Sequence, residues 1–250
     1  MVYFVGAGSG AVDLITVRGA RLLGEADIVI YAGSLVNPEL LTMTKKECLI
    51  YNSAKMSLDE VLEVMYENRE KNIVRLHTGD PSIYGAIREQ MDGLIREGIE
   101  YQVCPGVSSM CGAAAALKAE YTLPDVAQTV IVTRMAGRTP VPERENIRSL
   151  AAHHATMVIF LSSSMTEKLK EELLLGGYEE ETPCAIVYKA TWPEEKVIRG
   201  TLKELPQMAK DNQITKTALI VVGDFLGDEY ELSKLYDKTF ATEFREAKKE

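Results

Sequence analysis

Three short stretches of the sequence place glycines beside hydroxyl or carboxylate side chains, and each directly follows an apolar run. They are residues 6–11 (GAGSGA), 78–85 (TGDPSIYG) and 105–109 (PGVSS). If the apolar runs are parallel strands, their carboxyl ends meet at one edge of a sheet, where the ligands of such sheets bind. The second and third stretches, which follow adjacent units of the sheet, would then line one crevice with backbone N–H groups, hydroxyls and the carboxylate of Asp80.

The first stretch fits, by spacing alone, the GxGxxG/A fingerprint of dinucleotide-binding proteins through Gly6, Gly8 and Ala11. That fingerprint requires an acidic residue about 20 positions further on, at the end of the second strand, to hold the ribose hydroxyls. The second apolar run ends at Tyr31 without such an acid, and Asp27 stands before the run. The sequence therefore lacks the ribose ligand that a nicotinamide-dependent oxidoreductase requires. A further alternative is that residues 6–11 form only a tight turn, which lets a helix pack against a strand.

Helix capping is the alternative explanation for the other two stretches. Asp80 followed by a proline is a common helix start, with Asp80 as the N-cap and the proline as the first helical residue. Ser108 and Ser109 would cap the next helix in the same way. Tyr84 then falls one turn into a predicted helix, residues 83–95, where its hydroxyl either points at a substrate or belongs to an ordinary interface.

The cysteines and histidines favour neither a metal site nor nucleophilic catalysis. The four cysteines, at positions 48, 104, 111 and 184, form no CxxC pair, and two of the three histidines are adjacent. His77 ends an apolar run, which is typical of a buried core histidine rather than of a general base. The sequence therefore predicts no metal site and no disulfide framework.

Charge and hydropathy exclude several classes of protein. The chain carries 28 Lys and Arg residues against 37 Asp and Glu residues, and the resulting net charge of −9 repels phosphate backbones and anionic lipid. No apolar run approaches the roughly 18 residues of a membrane span, and no basic segment with a cleavage site precedes the first strand. We therefore expect a cytoplasmic protein that binds neither nucleic acid nor membrane.

A site of this kind requires strands that end together, and the first half of the chain alternates short apolar runs with amphipathic stretches. The five pairs are residues 2–5 and 14–23, 28–31 and 38–43, 48–51 and 58–66, 73–77 and 83–95, and 101–104 and 110–117. Short, mostly apolar runs are typical of strands covered on both faces. This pattern predicts an α/β lobe over residues 1–118 with a mostly parallel five-stranded sheet.

A second α/β lobe is predicted over residues 126–232, after a charged break that contains a proline. Its apolar runs are residues 129–133, 157–161, 185–188, 196–200 and 218–222. The connection formed by residues 189–195 is too short for a helical crossover, so the second sheet should be mixed. Residues 233–250 form a charged tail, which we expect to be a frayed helix from Glu243 onward.

Six motifs follow one another along the chain to about Leu226. They are VGAGSGAVDLITVRGARLL, LHTGDPSIYG, CPGVSS, TRMAGRTPVPE, YKATWPEE and TALIVVGDFL. In order and spacing they resemble the tetrapyrrole methylases of the cobalamin pathway. The resemblance implies two α/β lobes with S-adenosylmethionine in the cleft between them, S-adenosylhomocysteine as product, and methylation of carbon 11 of precorrin-4 or its cobalt form.

Other hypotheses remain open beside this one. The second hypothesis is that the chain is a related methylase that acts on another carbon of the macrocycle, or a member of the diphthamide or ribosomal RNA branches of the same fold. The acidity of the chain disfavours the RNA branch. The third hypothesis, from a different class of protein, is a nicotinamide-dependent oxidoreductase or a non-catalytic nucleotide-binding module.

The resemblance also assigns ligand-binding positions. For the cofactor these are Thr78, Gly79, Asp80, Ile83, Ser108 and Ser109 in the two turns, with Ser162, Ala190 and Ala218 assigned by spacing from the second lobe. The glycine loop, with Gly8 and Asp13, would line the substrate trough. Relatives usually read GxGPGDPDLLT here, whereas this chain has Ser9, Ala11 and Val12 in place of two prolines and an aspartate, which bears on the rigidity of the loop.

The substrate of such an enzyme carries acetate and propionate arms, so an acidic chain must concentrate cations locally. Four arginines and two glutamates lie between positions 134 and 148, and a planar guanidinium suits carboxylates. Arg134 and Arg138 flank a predicted Ala136-Gly137 loop and are the expected substrate ligands. A solvated helix face is the alternative, and it suits Arg148 best.

Methyl transfer from a sulfonium to a carbon is an in-line displacement that neutralises charge, so positioning and exclusion of water supply most of the catalysis. No single catalytic side chain is therefore required. The resemblance further implies a homodimer, the commonest symmetric assembly. Leu173, Leu174, Leu175 and Tyr178 are candidates for that contact, although packing of their own helix should take at least two of them.

Overall fold

Two five-stranded sheets organise the chain in the computed structural model, which describes residues 1–248. The first unit contains Met1–Ala116 together with Lys189–Glu195. The second contains Leu117–Tyr188 together with the residues from Lys196 onward. The segment Lys189–Glu195 thus belongs to the first unit although it connects two strands of the second. Within residues 1–248, no helix combines the length and the apolar character that crossing a membrane requires.

The first unit alternates strands and helices. Its strands are β1 (Val2–Gly6), β2 (Ile28–Tyr31), β3 (Leu49–Asn52), β4 (Ile73–His77) and β5 (Tyr101–Cys104), and its helices are α1 (Val17–Glu25), α2 (Leu58–Glu67), α3 (Ile87–Arg96) and α4 (Ser109–Leu117). The strand order is β3-β2-β4-β1-β5, and every neighbouring pair is parallel. The predicted parallel sheet is confirmed.

Apolar side chains cover both faces of this sheet. Val2 and Phe4 of β1 pack in one cluster with Met65 of α2, whereas Val5 packs in another with Leu23 of α1. All five side chains are fully buried. Burial on both faces explains why the central strands β1, β2 and β4 read as continuous apolar runs rather than as alternating ones.

The second unit contains a mixed sheet. Its strands are β6 (Val130–Arg134), β7 (Thr156–Phe160), β8 (Pro183–Tyr188), β9 (Lys196–Thr201) and β10 (Ala218–Val222), and its helices are α5 (Ile147–Ala151), α6 (Thr166–Leu175) and α7 (Leu205–Asp211). In the order β6-β7-β10-β8-β9, only β6 and β7 are parallel. The mixed sheet was predicted from the short connection between β8 and β9, which are antiparallel neighbours.

The helix after the glycine loop begins later than its apolar period predicts. The hydroxyl of Thr16 accepts a hydrogen bond from the N–H of Gly19 at 3.0 Å, so Thr16 is the N-cap and α1 begins at Val17 instead of residue 14. Val12–Leu14 form a separate 3-10 turn. Residues 14–16, which the apolar period assigns to the helix, therefore belong to the loop region.

The charged tail also departs from the expected frayed helix. Thr242 and Arg245 close a turn, and the guanidinium of Arg245 donates to the carbonyls of Leu235, Asp237 and Phe240 at 2.8, 2.7 and 3.2 Å. Folding back satisfies these main-chain groups, whereas an isolated helix this short is marginal in water. Residues 249 and 250, which end the predicted helix, lie outside the described residues.

Candidate functional site

The carboxyl ends of β1, β4 and β5 meet at three glycines. Gly6 ends β1, Gly79 lies just after β4, and Gly106 lies just after β5. A β-carbon on Gly6 would lie 2.5 Å from the α-carbon of Gly106, and one on Gly106 would overlap the carbonyl oxygen of Gly79. Only glycine permits backbones to approach this closely. The two turns that the sequence predicts at one sheet edge thus come together there, and the end of β1, where the glycine loop begins, lies between them.

The side chain of Asp80 joins the turn after β4 to the turn after β5. One carboxylate oxygen accepts a hydrogen bond from the N–H of Gly106 at 2.8 Å, and the other accepts from the N–H of Ser82 at 2.8 Å and from its hydroxyl. Asp80 is not the N-cap of a helix, because α3 begins only at Ile87. It is a bridge that fixes one turn against the other.

The same hydrogen bonds set the charge of Asp80. Burial raises the pKa of this carboxyl, but the bonds from the Ser82 hydroxyl and from the N–H groups of Gly106 and Ser82 outweigh burial, and they hold the pKa below the usual aspartate value. Asp80 is therefore a carboxylate at neutral pH. Each of its oxygens accepts a bond within the protein, so Asp80 fixes the two turns relative to each other.

The glycine loop joins this junction through its main chain. The N–H of Gly79 donates to the carbonyl of Gly8 at 2.9 Å, the N–H of Gly8 donates back at 3.3 Å, and the N–H of Ala7 donates to the carbonyl of His77 at 2.7 Å. Gly8 and Gly79 adopt φ values of 83° and 61°, a region that favours glycine. Asp13, in contrast, is exposed on the 3-10 turn that follows the loop.

Two buried polar atoms at the end of β4, Thr78 Oγ1 and His77 Nε2, have no hydrogen-bond partner among the described residues. Burial and then the nearby Arg75 lower the pKa of His77 to about 3, and its ring lies 6.0 Å from that of Phe4. His77 is thus a neutral core histidine, as expected. Thr78 lies in the turn itself, and its hydroxyl is a buried polar group whose partner the described residues do not supply.

Tyr84 lies in the turn after Asp80, and its predicted place one turn into a helix is wrong. Tyr84 and Ala86 adopt left-handed backbone, with φ values of 54° and 49°, which a right-handed helix cannot include, so α3 begins at Ile87 rather than at residue 83. The side chain of Tyr84 is 46% exposed. Ile83 is half-buried in the same turn, and its N–H donates to the carbonyl of Asp80 at 3.2 Å.

Ser108 caps α4. Its hydroxyl accepts from the N–H of Met110 at 3.4 Å, and its carbonyl accepts from the N–H groups of Cys111 and Gly112 at 3.0 and 3.2 Å. Ser109 is the first helical residue and is half-buried. The capping interpretation therefore holds for Ser108, and it is compatible with a ligand, because a helix N-terminus attracts anionic and polar groups.

The segment Lys189–Glu195 packs on the glycine loop. The hydroxyl of Thr191 lies 2.9 Å from that of Ser9 and accepts from the N–H of Ala11 at 3.1 Å. Ala190, which was assigned from the second lobe, is buried in this segment and belongs to the first unit. The chain leaves the second sheet after Tyr188 and returns to it at Lys196.

In the second unit, Ser162 and Ala218 belong to the framework of the sheet. Ser162 is fully buried; its hydroxyl donates to the carbonyl of Phe160 at 2.7 Å and accepts from the N–H of Met135 at 2.9 Å. These bonds join the end of β6 to the end of β7. Ala218 begins β10 and pairs with Tyr188.

Arg134 and Arg138 have different environments in the loop after β6. The guanidinium of Arg134 is half-buried and donates to the carbonyls of Met135, Thr139 and Pro140 at 3.2, 3.2 and 2.8 Å, so it shapes the loop. Arg138 is exposed on that loop, and its side chain makes no hydrogen bond or ion pair with residues 1–248. Arg138 is therefore a cation of this loop without a partner among the described residues.

Asp27 lies at the amino end of β2, at the sheet edge opposite the glycine junction. Its carboxylate binds the Lys45 ammonium at 2.7 Å and accepts from the N–H of Asn72 at 2.9 Å, and these bonds hold the pKa of Asp27 below its usual value. A surface cavity of about 460 Å³ there is lined by Asp27, Lys45 and Cys48, among others. A ribose ligand would stand at the carboxyl end of β2. Asp27, the nearest acid in the sequence, thus lies at the opposite edge of the sheet.

The apolar residues proposed for a dimer contact divide between core and surface. Leu173 and Tyr178 are buried in the core of the second unit, and Leu174 packs against that core. Leu175 is 63% exposed at the end of α6. The expectation that helix packing takes at least two of them is correct.

Three residues of the junction and loop were not identified from the sequence: Gly106 as a steric requirement, Thr191 as a loop partner, and Asn37. The side-chain amide of Asn37 donates to the carbonyl of Gly10 at 2.9 Å, and its oxygen accepts from the N–H of Glu39 at 3.0 Å. The Asn-Pro pair at positions 37 and 38 signals a helix start, which accounts for only the second of these bonds.

The junction offers hydrogen-bonding groups rather than a pair of residues that could transfer protons. His77 is buried and neutral, and the carboxylate of Asp80 is bonded to backbone and hydroxyl donors. What the turns offer is main-chain groups, hydroxyls and a helix N-terminus. Reactions accelerated by orientation and by exclusion of water suit a site of this kind.

Comparison with known proteins gives the family. The profile of Tetrapyrrole (Corrin/Porphyrin) Methylases matches residues 1–206. A cobalt-precorrin-4 C(11)-methyltransferase of Methanocaldococcus jannaschii is 55% identical, over 99% of this chain and 97% of its own. The X-ray structure of cobalt precorrin-4 methyltransferase CbiF, a cobalamin biosynthetic enzyme, matches with a TM-score of 0.89 at 48% identity, covering 91% of this chain and 96% of the other.

A second solved structure carries a ligand. Uroporphyrin-III C-methyltransferase from Thermus thermophilus, in complex with S-adenosyl homocysteine, matches with a TM-score of 0.76 at 25% identity, covering 90% of this chain and 98% of the other. The chain belongs to the tetrapyrrole (corrin/porphyrin) methylase family. The resemblance of the six motifs is confirmed, and with it the methyltransferase class, so the oxidoreductase alternative is set aside.

Proposed function

We propose that this enzyme transfers a methyl group from S-adenosylmethionine to carbon 11 of a precorrin-4 macrocycle in cobalamin biosynthesis. The observation that carries the proposal is the junction at the carboxyl edge of the first sheet. There, Asp80 joins the two turns that the family resemblance assigns to the cofactor. The names of the 55% identical relative and of CbiF make cobalt-precorrin-4 the first substrate to test.

The residues of the junction fit S-adenosylmethionine. This cofactor has an adenine, two ribose hydroxyls and a charged amino-acid end, all of which require hydrogen-bond partners. Thr78 offers a buried hydroxyl without a partner among the described residues, and Ser109 begins a helix whose N-terminal N–H groups attract a carboxylate. Half-buried Ile83 offers an apolar surface to the adenine.

We infer that Thr78, Gly79 and Ile83 of one turn, with Ser108 and Ser109 of the other, hold the cofactor, and that Asp80 acts by fixing the turns. Ser162, Ala190 and Ala218 stay predicted positions. When bound, S-adenosylmethionine supplies a methyl group on a sulfonium, which moves to a nucleophilic carbon while the sulfur keeps the bonding electron pair. The protein's part is to align the two reactants and exclude water from them.

The substrate side of the proposal rests on charge. A macrocycle with several carboxylate arms approaches a chain of net charge −9, so recognition requires local cations. Arg138 provides one, on a loop that Arg134 holds in shape through three carbonyls. The glycine loop, including Gly8, is proposed to line the macrocycle, and Asp13 lies exposed next to it.

Labelled methyl transfer tests the proposal. The enzyme is incubated with cobalt-precorrin-4 or precorrin-4 and S-adenosylmethionine carrying a ¹³C-methyl group. Mass spectrometry should show one added methyl per macrocycle, and NMR should place the label at carbon 11. A label at another carbon would indicate a different methylase of the same family, and unmodified macrocycle with both substrates would reject the proposal.

We further propose a cytoplasmic homodimer. The cysteines in the described part of the chain are all free thiols, as is usual in reducing compartments. The exposed Leu175 at the end of α6 is an apolar residue that a partner copy would cover. Light scattering at micromolar concentration should give twice the 27.7 kDa of one chain. A single-chain mass would reject the dimer without touching the proposed activity.

A further inference from the structure

The glycine loop of the first unit is held by a segment from far along the chain. The hydroxyl of Thr191 accepts a hydrogen bond from the N–H of Ala11 at 3.1 Å and lies 2.9 Å from the hydroxyl of Ser9. Ser9 is 5% exposed and Thr191 is half-buried, so these bonds are partly shielded from water. One side chain therefore fixes two positions of the loop.

Trp192 covers the residue between those two positions. A β-carbon on Gly10 would overlap the indole ring of Trp192, so the ring lies directly against the backbone of Gly10. The Lys189 ammonium lies 5.3 Å from the centroid of the indole and 3.2 Å from the carboxylate of Glu194. Cation and ring attract each other at this distance, which helps to keep the indole in place.

The segment that carries these side chains is itself fixed. The N–H of Thr191 donates to the carboxylate of Glu195 at 2.6 Å, and the N–H of Trp192 donates to the carbonyl of Lys189 at 3.0 Å. Lys189 and Thr191 have φ values of 46° and 67°. This conformation is unfavourable, most of all for a β-branched threonine, and persists only where the surroundings determine it.

We propose that Thr191 and Trp192 are positioning residues, which hold positions 9–11 of the glycine loop in the shape that receives the tetrapyrrole. The loop consists of glycine, alanine and one serine, so its own sequence restricts its backbone very little. Thr191, Trp192 and the amide of Asn37 supply the missing restriction. The inference rests on the proposed function, in which this loop lines the substrate.

Hydrogen exchange tests the rigidity of the loop independently of catalysis. Thr191→Val keeps the shape of the side chain but removes the acceptor of the Ala11 N–H, so exchange of the loop amides should accelerate by about tenfold. Thr191→Ser keeps the hydroxyl and should restore the wild-type rate. Thr42→Val is the matched control, because that hydroxyl donates to the carbonyl of Glu39 on the exposed 3-10 helix Pro38–Met43.

Steady-state kinetics tests whether the shape of the loop serves the tetrapyrrole. Thr191→Val should raise its KM about fivefold to tenfold, the effect of one or two lost hydrogen bonds. Affinity for S-adenosylhomocysteine should be unchanged, whereas a purely structural defect would weaken both ligands together. Gly10→Ala, whose methyl group displaces the indole, should raise KM similarly and increase acrylamide quenching of Trp192, the single tryptophan of the chain.

The two measurements separate the inference from the proposed function. Loop exchange in Thr191→Val that equals the wild-type rate overturns the inference, and so does an unchanged KM in both Thr191→Val and Gly10→Ala. Restoration of both values by Thr191→Ser supports it. A wild-type enzyme that methylates no tetrapyrrole overturns the proposed function, and the exchange rates then still decide whether Thr191 fixes the loop.

Discussion

Asp80 accepts a hydrogen bond from the backbone N–H of Gly106, 2.8 Å away, and so connects the ends of two strands, β4 and β5, that are not neighbours in the sheet. Strand β1 lies between them and ends at Gly6. The ladder bonds of the sheet therefore do not by themselves fix one turn against the other. A carboxylate bonded to N–H groups makes charge-assisted bonds, which are stronger than bonds between neutral groups.

Asp80→Ala should weaken binding of S-adenosylhomocysteine by more than about tenfold, as measured by calorimetry. A lost helix cap costs about 1 kcal/mol, whereas this change leaves the N–H groups of Gly106 and Ser82 without their acceptor and releases both turns. The matched control is Ser57→Ala, which removes the capping box of α2 in the same unit. If both variants lose thermal stability but keep their affinity, Asp80 contributes to the fold alone.

Gly106→Ala should lower the free energy of unfolding by about 2–4 kcal/mol, since the new methyl group overlaps the backbone of Gly6 and Gly79. Gly24→Ala is the contrasting variant: a β-carbon there meets its nearest neighbour, the carbonyl of Met43, at an ordinary 3.5 Å. In a helix that exchange should stabilise by about 0.5–1 kcal/mol. Denaturant titrations of the two variants give both values, and equal effects would contradict the steric account of the junction.

His77 predicts a specific pH dependence of stability. Burial and Arg75 lower its pKa from the ordinary 6.5 to about 3 in the folded protein. Above pH 6.5 the imidazole is neutral in both the folded and the unfolded protein. As the pH falls below that value, only the unfolded chain binds the proton, so the free energy of unfolding falls by about 1.4 kcal/mol per pH unit until about pH 3. His77→Gln should remove this slope between about pH 6 and 5, whereas exposed His153→Gln should not. Parallel profiles for wild type and His77→Gln would contradict the buried neutral histidine.

The central strands of the first sheet were predictable because burial on both faces leaves a strong signal in the sequence. Val2, Phe4 and Val5 read as one apolar run, and each side chain is buried in one of the two clusters that flank the sheet. The start of α3 was not predictable. The stretch from Ile83 onward has helical periodicity, but the left-handed backbone of Tyr84 and Ala86 depends on the turn that Asp80 organises, and periodicity carries no information on it.

The candidate site likewise contains positions that the sequence could predict and contacts that it could not. Gly79, Asp80 and Ser108 follow strands directly, so their common edge follows from the parallel topology. Thr191 lies about 180 positions from Ser9, and nothing local in either stretch indicates the contact. Arg134 stays a predicted substrate residue. The hydrogen bonds from its guanidinium to carbonyls of its own loop were not predictable, because they depend on the path of the backbone rather than on residue type.

Arg138→Glu should raise the KM for the tetrapyrrole about threefold to tenfold, because a reversed charge faces the carboxylate arms across a partly solvated distance. Affinity for S-adenosylhomocysteine should not change. The rise in KM should shrink in high salt, which screens exposed charges. Arg21→Glu, the same change on the exposed face of α1, is the matched control and should leave KM unaltered.

Arg134→Glu distinguishes a direct contact from a role in shaping the loop. This variant loses three donors to carbonyls of Met135, Thr139 and Pro140, so its melting temperature should fall, and its KM should rise by an amount that salt does not reduce. Steady-state kinetics at two salt concentrations separates the two arginines. If the KM of both variants equals that of the wild type at low salt, the loop after β6 is a solvated surface and the carboxylate arms bind elsewhere.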